Sequence, residues 1–392
     1  MDTTKPQMSG RERILAALNH QPVDRLPFTP AVDSYLMMGL PPELTGDPNL
    51  DYMHPKRQLA TMKNLGFDLL IRGVLVNEDF SRYATMVQSL GAFAPPVEVK
   101  IKYLSDTEMA EIITTPVGTL TGLWKLTDKH GRVPHFTKYV VNNYEELKIF
   151  AYAVEHIDMS PLKPRFELYN RFDALLGDEG LPAVSFMNTP LMHLIQFLMG
   201  LENTYILLHE HPKEMEFILE RLHVSHRRHV ELIAQSPAKV VIQYEGTSST
   251  LLSPAYYRKY CLPVQNDYAR ILTSAGKIHL IHMCGKLQAF INDFKGAEFS
   301  GITDIAPHPT GDLPLYEAAE RLQEKVLIGG IDATTFASND LAFVEKEVTQ
   351  LIQKVKPYRG ILLGSGDVVP KDTRVENIRL MNKLVNELGH YD

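Results

Sequence analysis

The sequence predicts an α/β fold, a (β/α)8 TIM barrel carrying an inserted antiparallel β-meander plus helices between its second and third strands. Two observations predict it. Eight short runs rich in Val, Ile, Leu and Phe recur along the chain, and amphipathic stretches long enough for crossover helices separate them. The runs are residues 25–30, 67–73, 181–187, 239–244, 277–282, 299–305, 325–331 and 360–364. Their nearly continuous hydrophobicity implies burial on both faces, and eight such parallel strands favour a closed barrel over an open doubly wound sheet.

Helix starts support this register. Ser9, Asn143 and Thr373 each stand three residues before a glutamate (Glu12, Glu146, Glu376), the spacing of a capping box. Ser253 precedes Pro254, a cap followed by proline at the first helical position. About 110 residues separate the second and third runs where roughly 30 complete one βα unit, so a lobe is inserted over residues 74–180. Within it, residues 97–103, 111–115, 118–126 and 136–141 read as short antiparallel strands joined by turns such as Pro116 to Gly118. Helices are expected near residues 143–152 and 163–176. No repeat, low-complexity tract or linker divides the rest, so residues 1–392 form a single barrel domain bearing this lobe.

Composition narrows the function classes. With 392 residues, 44% of them hydrophobic and 22% charged, the chain can bury a sizeable core. The formal charge is −7, and no basic block or Arg-rich helix marks a nucleic-acid surface. Two cysteines cannot build a disulfide framework, the first residues show no apolar signal segment, and no apolar run approaches a membrane span. The expectation is a cytoplasmic protein with reduced thiols that meets small molecules or other proteins, with neither nucleic acid nor membrane as partner.

Barrel active sites lie at the C-terminal ends of the strands, so residues just after each run converge on one mouth. The fourth run delivers Glu245 and Gly246, the fifth His282 and Cys284, and the sixth Asp304. The seventh delivers Gly329, Gly330 and Asp332, and the eighth Gly364, Ser365, Gly366 and Asp367. Because alternate residues of an extended chain face the same way, the imidazole of His282 and the thiol of Cys284 point at one spot. Glu245, His282 and Cys284 are suitable zinc ligands that leave one position open, the pattern of a catalytic site. Each also has a plainer reading: His282 as a hydrogen-bonded core residue, Cys284 as a small buried apolar group, Glu245 as a helix cap. Asp304 and Asp332 are candidates to orient His282 or simply to form turns. Gly330, Gly364 and Gly366 follow the runs where barrels commonly bind phosphate, or they only permit tight turns. Tyr35, Met37, Met38, Met187 and Asn188 follow the first and third runs and are expected to line a small-molecule pocket.

At these residues the chain resembles the uroporphyrinogen decarboxylase superfamily, specifically its zinc-dependent corrinoid methyltransferase branch. The resemblance spans most of the sequence. It includes the runs from Arg11 to Leu18 and from Pro22 to Pro27, and the stretch from Glu245 and Gly246 through Arg258 to Leu262 and Pro263. It also includes His282-x-Cys284-Gly285, Gly329 to Asp332, Gly364-x-Gly366, Pro370, and Glu376 with Asn377. The resemblance implies a (β/α)8 barrel and a zinc site made of His-x-Cys plus a later Cys in the loop after the last strand. Here Ser365 stands where that later Cys is expected, so two thiolates have become one.

The resemblance further implies a zinc-dependent methyl transfer between a small methylated donor and the cobalamin of a corrinoid-binding protein. The demethylating direction is preferred, with an O-methyl donor first and N- or S-methyl donors open. A thiol-methylating enzyme of the coenzyme M type, a decarboxylase-like lyase and a metal-free ligand-binding relative are the alternatives. A porphyrinogen's many carboxylates would call for clustered arginines. The family's Arg-rich segment after the first strand is replaced here by Thr29 to Met38.

Overall fold

The computed structural model describes residues 7–52, 54–74, 92–126, 134–160 and 163–391, without the side chains of Ser34, Tyr35 and Pro134. Of the lobe expected over 74–180, residues 75–91, 127–133 and 161–162 therefore lie outside the described residues. The strands in chain order are β1 (Leu69–Val74), β2 (Ala92–Phe93), β3 (Glu98–Tyr103), β4 (Glu108–Thr115), β5 (Gly118–Leu126), β6 (Pro134–Lys138) and β7 (Ile157–Asp158). They continue with β8 (Gly180–Phe186), β9 (Val240–Tyr244), β10 (Ile278–His282), β11 (Gly301–Ile305), β12 (Val326–Ile331) and β13 (Ile361–Ser365).

Seven of them form one parallel sheet in the order β1-β8-β9-β10-β11-β12-β13. This is the curled, helix-covered sheet of a TIM-barrel-like fold. The run that reads as a first strand, residues 25–30, is not one among the described residues, and its prolines explain why. Pro27 and Pro30 have no N–H to give to a ladder, so the segment makes only isolated contacts. On one side Thr29 N donates to Leu363 O at 2.7 Å and Leu363 N to Pro27 O at 2.8 Å. On the other, Asp68 N donates to Phe28 O at 2.8 Å. The segment thus bridges the two edge strands of the sheet.

A side chain fixes that bridge. The Asp68 carboxylate, buried just before β1, accepts from Arg13, from both terminal nitrogens of Arg25 and from Phe28 N, at 2.7–3.0 Å. One carboxylate thereby joins the first helix (Gly10–Leu18), the bridging segment and β1.

Between β1 and β8, strands β3-β4-β5-β6 form an antiparallel sheet, and β2 pairs with β7. The helices Tyr144–Glu155 and Glu167–Leu176 follow them in the chain. The expected caps form at Ser9, with both bonds of its capping box, and at Asn143 and Ser253. The box expected at Thr373 and Glu376 does not form. Among the described residues the last helix (Val375–Leu388) starts after Arg374 with no side-chain cap, and Thr373 Oγ1 has no partner. Two helical stretches widen into π-turns, Leu194–Leu198 and Tyr257–Cys261, a distortion that often marks functional sites. Among the described residues no helix is long and apolar enough to cross a membrane.

Candidate metal centre

Strand β10 ends at His282, and the chain leaves it through Met283, which is fully buried, so that His282 and Cys284 share the open side. Asp367 joins them from the loop after β13. One ligand atom from each of the three lies within 4.8 Å of the others, the only such group of three or more among the described residues. A tetrahedral zinc with Zn–N of about 2.0 Å and Zn–S of about 2.3 Å needs donors roughly 3.3–3.8 Å apart. Imidazole, thiolate and carboxylate at this separation are therefore a donor set that fits zinc with small adjustments.

Asp367 reaches this spot because of the glycine before it. A Cβ on Gly366 would stand 2.4 Å from Ala306 Cβ, so only glycine lets the loop after β13 approach the loop after β11 so closely. Ser365, the residue expected near the metal, faces the other way. It is buried at the end of β13 and its Oγ accepts from Ala31 N at 3.0 Å, binding the bridging segment instead.

His282 is held from behind. Its Nδ1 lies 2.7 Å from Asp304 Oδ2, and Arg72 Nη1 donates to both oxygens of that carboxylate at 2.8 and 2.7 Å. Thr303 Oγ1 donates to it as well. Asp304 is fully buried and has φ +68°, an uncommon backbone for a non-glycine residue that these bonds maintain. Burial alone would push its carboxyl up; Arg72 and His282 outweigh it and hold the group well below the usual range. Burial likewise opposes a charged His282, and Asp304 overrides it, raising the imidazole well above its ordinary value. Asp304 thus lies against His282 Nδ1, where an orienting carboxylate would have to stand.

Glu245 does not join the metal group. Its side chain is fully buried, accepting from Thr189 N at 2.8 Å, Thr189 Oγ1 at 2.6 Å and Gln243 Nε2 at 3.1 Å, beside Cys261. Burial pushes its carboxyl up to about 8 despite these donors. It ties the loop after β8 to the end of β9, and the π-turn Tyr257–Cys261 brings Cys261 to it. Asp332 is likewise a tie: Oδ2 accepts from Thr310 N and Oγ1, and Oδ1 caps the short helix Ala333–Phe336 through Thr334. It does not touch His282.

The three candidate ligands border a cavity of about 540 Å³. Met187 and Asn188 line it as expected, and so does Gly366. Gln196 and Phe197 from the π-turn Leu194–Leu198, Tyr244, Ser248, Thr250, Leu251 and Thr310 complete much of the wall, and sequence reasoning missed them. Met37 is fully buried and away from the lining, and the Tyr35 side chain lies outside the described residues. Gly330 lines a separate cavity of about 140 Å³, and Gly364 packs near Thr29 O, so neither borders the metal group.

The sequence pattern of uroporphyrinogen decarboxylase (URO-D) proteins matches residues 118–388, most of the chain. Among solved structures, a methyltransferase from Methanosarcina mazei is similar with a TM-score of 0.60 and 16% identity, over 97% of this chain and 99% of that one. At that identity the likeness speaks for the fold. No curated protein matches the sequence.

Proposed function

The chain belongs to the uroporphyrinogen decarboxylase (URO-D) family, and on that premise we propose that it is a zinc-dependent methyltransferase. It moves a methyl group from a small methylated donor, an O-methyl compound first of all, to the cobalamin of a corrinoid-binding protein. The observation that carries the reading is the group His282, Cys284 and Asp367 on the wall of a large cavity. Three donors with a fourth position free are the pattern of a catalytic zinc site rather than a closed structural one. When bound, zinc supplies a Lewis acid for the heteroatom that the methyl leaves.

In such a transfer the donor's C–O bond would break with its electron pair going to the oxygen, which would take up a proton from solvent, while the partner's cobalamin would accept the methyl as the nucleophile. The chain's own residues orient and exclude. The Asp304 and Arg72 pair holds the His282 ring by Nδ1, which leaves Nε2 as the nitrogen available to a metal. Met187, Phe197, Tyr244 and Leu251 give the wall an apolar surface that keeps water from the reacting atoms. The similarity to a methyltransferase fold agrees with this reading. A porphyrinogen decarboxylase is the weaker reading, because among the described residues no arginine lines the cavity to meet several carboxylates.

Two experiments test the proposal. Metal analysis of protein purified without chelators is expected to find about one zinc per chain, lost in Cys284→Ser with the circular dichroism unchanged. Mixing the protein with cob(I)alamin and a panel of methoxylated aromatics, methylated amines and thioethers is expected to produce methylcobalamin. Zinc-free protein with full activity, or methylcobalamin demethylated by a thiol while no donor methylates cobalt, would overturn it.

A further inference from the structure

Building on the methyltransferase reading of this cavity, we infer that its donor is an uncharged aromatic methyl ether, and that a carboxylate on the ring is rejected. The apolar part of the wall is suited to a ring: Phe197 and Tyr244 stand with Met187 and Leu251. The Tyr244 ring lies 5.0 Å from the imidazole of His282, so an aromatic surface sits directly beside a candidate metal ligand. A volume of about 540 Å³ accommodates a substituted single ring.

Charge decides what that ring can carry. Among the described residues lining the cavity there is no Lys or Arg, while Cys284 and Asp367 supply anionic donors. Two such donors balance one divalent cation, and no positive charge remains for a second anion. Arg72, the cation behind Asp304, has both terminal nitrogens turned to other groups, and its buried Nε is without a partner among the described residues. Its Nη1 serves both oxygens of Asp304, its Nη2 meets Thr29 O at 3.4 Å, and it lines a smaller cavity of about 160 Å³ rather than this one.

Apart from the Tyr244 hydroxyl, most polar side chains of the wall are already bonded to one another or to a neighbour. Asn188 Nδ2 donates to Gln196 Oε1 at 3.0 Å and Gln196 Nε2 to Glu245 O at 3.3 Å. Ser248 and Thr250 share a hydrogen bond of 2.8 Å, and Thr310 Oγ1 donates to Asp332. Among the described residues of the lining, the buried polar side-chain atom left without a partner is Asn188 Oδ1, an acceptor. A carboxylate entering here would lose its hydration and, among the described residues of the wall, gain no Lys or Arg and at most the Tyr244 hydroxyl as a donor, which is a heavy penalty for an ion. A neutral ring loses little, and a phenolic O–H has an acceptor to answer.

The test uses the zinc-loaded full chain and three probes: 2-methoxyphenol, 4-hydroxy-3-methoxybenzamide and 4-hydroxy-3-methoxybenzoate. The amide and the carboxylate have nearly the same size, so they separate charge from bulk. Isothermal titration is expected to show the benzoate binding at least about tenfold more weakly than the benzamide. Leu251→Arg, which adds a cation to the wall, is expected to narrow or reverse that ratio. Benzoate binding as tightly as the amide, no binding of any of the three, or a ratio unmoved by Leu251→Arg would overturn the inference. Neutral probes that bind yet transfer no methyl to cob(I)alamin would instead defeat the methyltransferase reading and leave the selectivity of the cavity standing.

Discussion

His282 can offer a metal only Nε2, because its Nδ1 is spent on Asp304 at 2.7 Å. That makes Asp304 the residue whose loss should be felt at the metal without being a ligand. Asp304→Ala is expected to weaken zinc binding by about 10- to 100-fold, the range for a carboxylate that orients a ligating histidine. Competition with a chromophoric chelator measures it. Asp367→Ala and Glu245→Gln form a matched contrast, since only the first carboxylate lies with His282 and Cys284. The first substitution is expected to lower zinc affinity by at least about tenfold and the second to leave it within about twofold. Equal losses in both would place the metal among residues other than this group.

At the scale of elements, the Asp68 carboxylate is the joint between the first helix, the bridging segment and β1. Removing it in Asp68→Ala leaves Arg25 without its carboxylate partner and Arg13 with Asp24 alone, in a buried setting. The expected cost is about 3–5 kcal/mol, as for breaking a buried ion pair, read from urea unfolding. The long helix Pro212–Ala234 supplies a pH dependence, because its inner face carries His226 and His229. Burial holds His229 down at about 4 and His226 well below its ordinary value. The unfolded chain protonates these groups from about pH 6.5 downward and the fold only at lower pH. Their contribution is therefore full above about pH 6.5 and is lost as the pH falls toward 4. For His229 the loss by pH 5 is on the order of 2 kcal/mol. Glu245 works in the opposite sense: its raised value favours the protonated fold, so its contribution is full below pH 4.5 and is lost as the pH rises through 8. The gap in stability between the native chain and His229→Gln, compared at pH 7.5 and pH 5, isolates the histidine. An unchanged gap would show that His229 is not buried in its neutral form.

For the molecule as a whole, the metal group borders a cavity, while the core lies between the sheet and its helices. Removing zinc should therefore leave the fold intact, with an unchanged far-ultraviolet circular dichroism spectrum. Zinc at about a hundred times its dissociation constant adds about 2.7 kcal/mol, which for a chain of this size corresponds to a rise in Tm of roughly 3 °C. Cys284→Ser is expected to lose that increment and little else. Unfolding on chelation would make the metal structural and remove the basis for a catalytic site.

The order of the parallel strands and the shared facing of His282 and Cys284 were legible in the sequence. Each derives from local rules: hydrophobic runs, spacing, and the two-residue period of an extended chain. Other features needed the assembled chain. Ser365 and Glu245 have the right chemistry at strand ends, yet each turns to a neighbour that no local pattern reveals, Ala31 N for one and Thr189 for the other. Asp367 was visible two residues beyond Ser365, but its place beside His282 and Cys284 depends on Gly366 packing against Ala306, a contact between the loops after β13 and β11. The prolines at 27 and 30 were readable as obstacles to a ladder, whereas the two-sided bridge they permit depends on Leu363 and Asp68 arriving from far along the chain. Which elements form was thus determined locally by the sequence. Which side chains meet at the cavity was decided only by tertiary structure, because hydrogen bonds and close packing act between atoms that are neighbours in space and strangers in sequence.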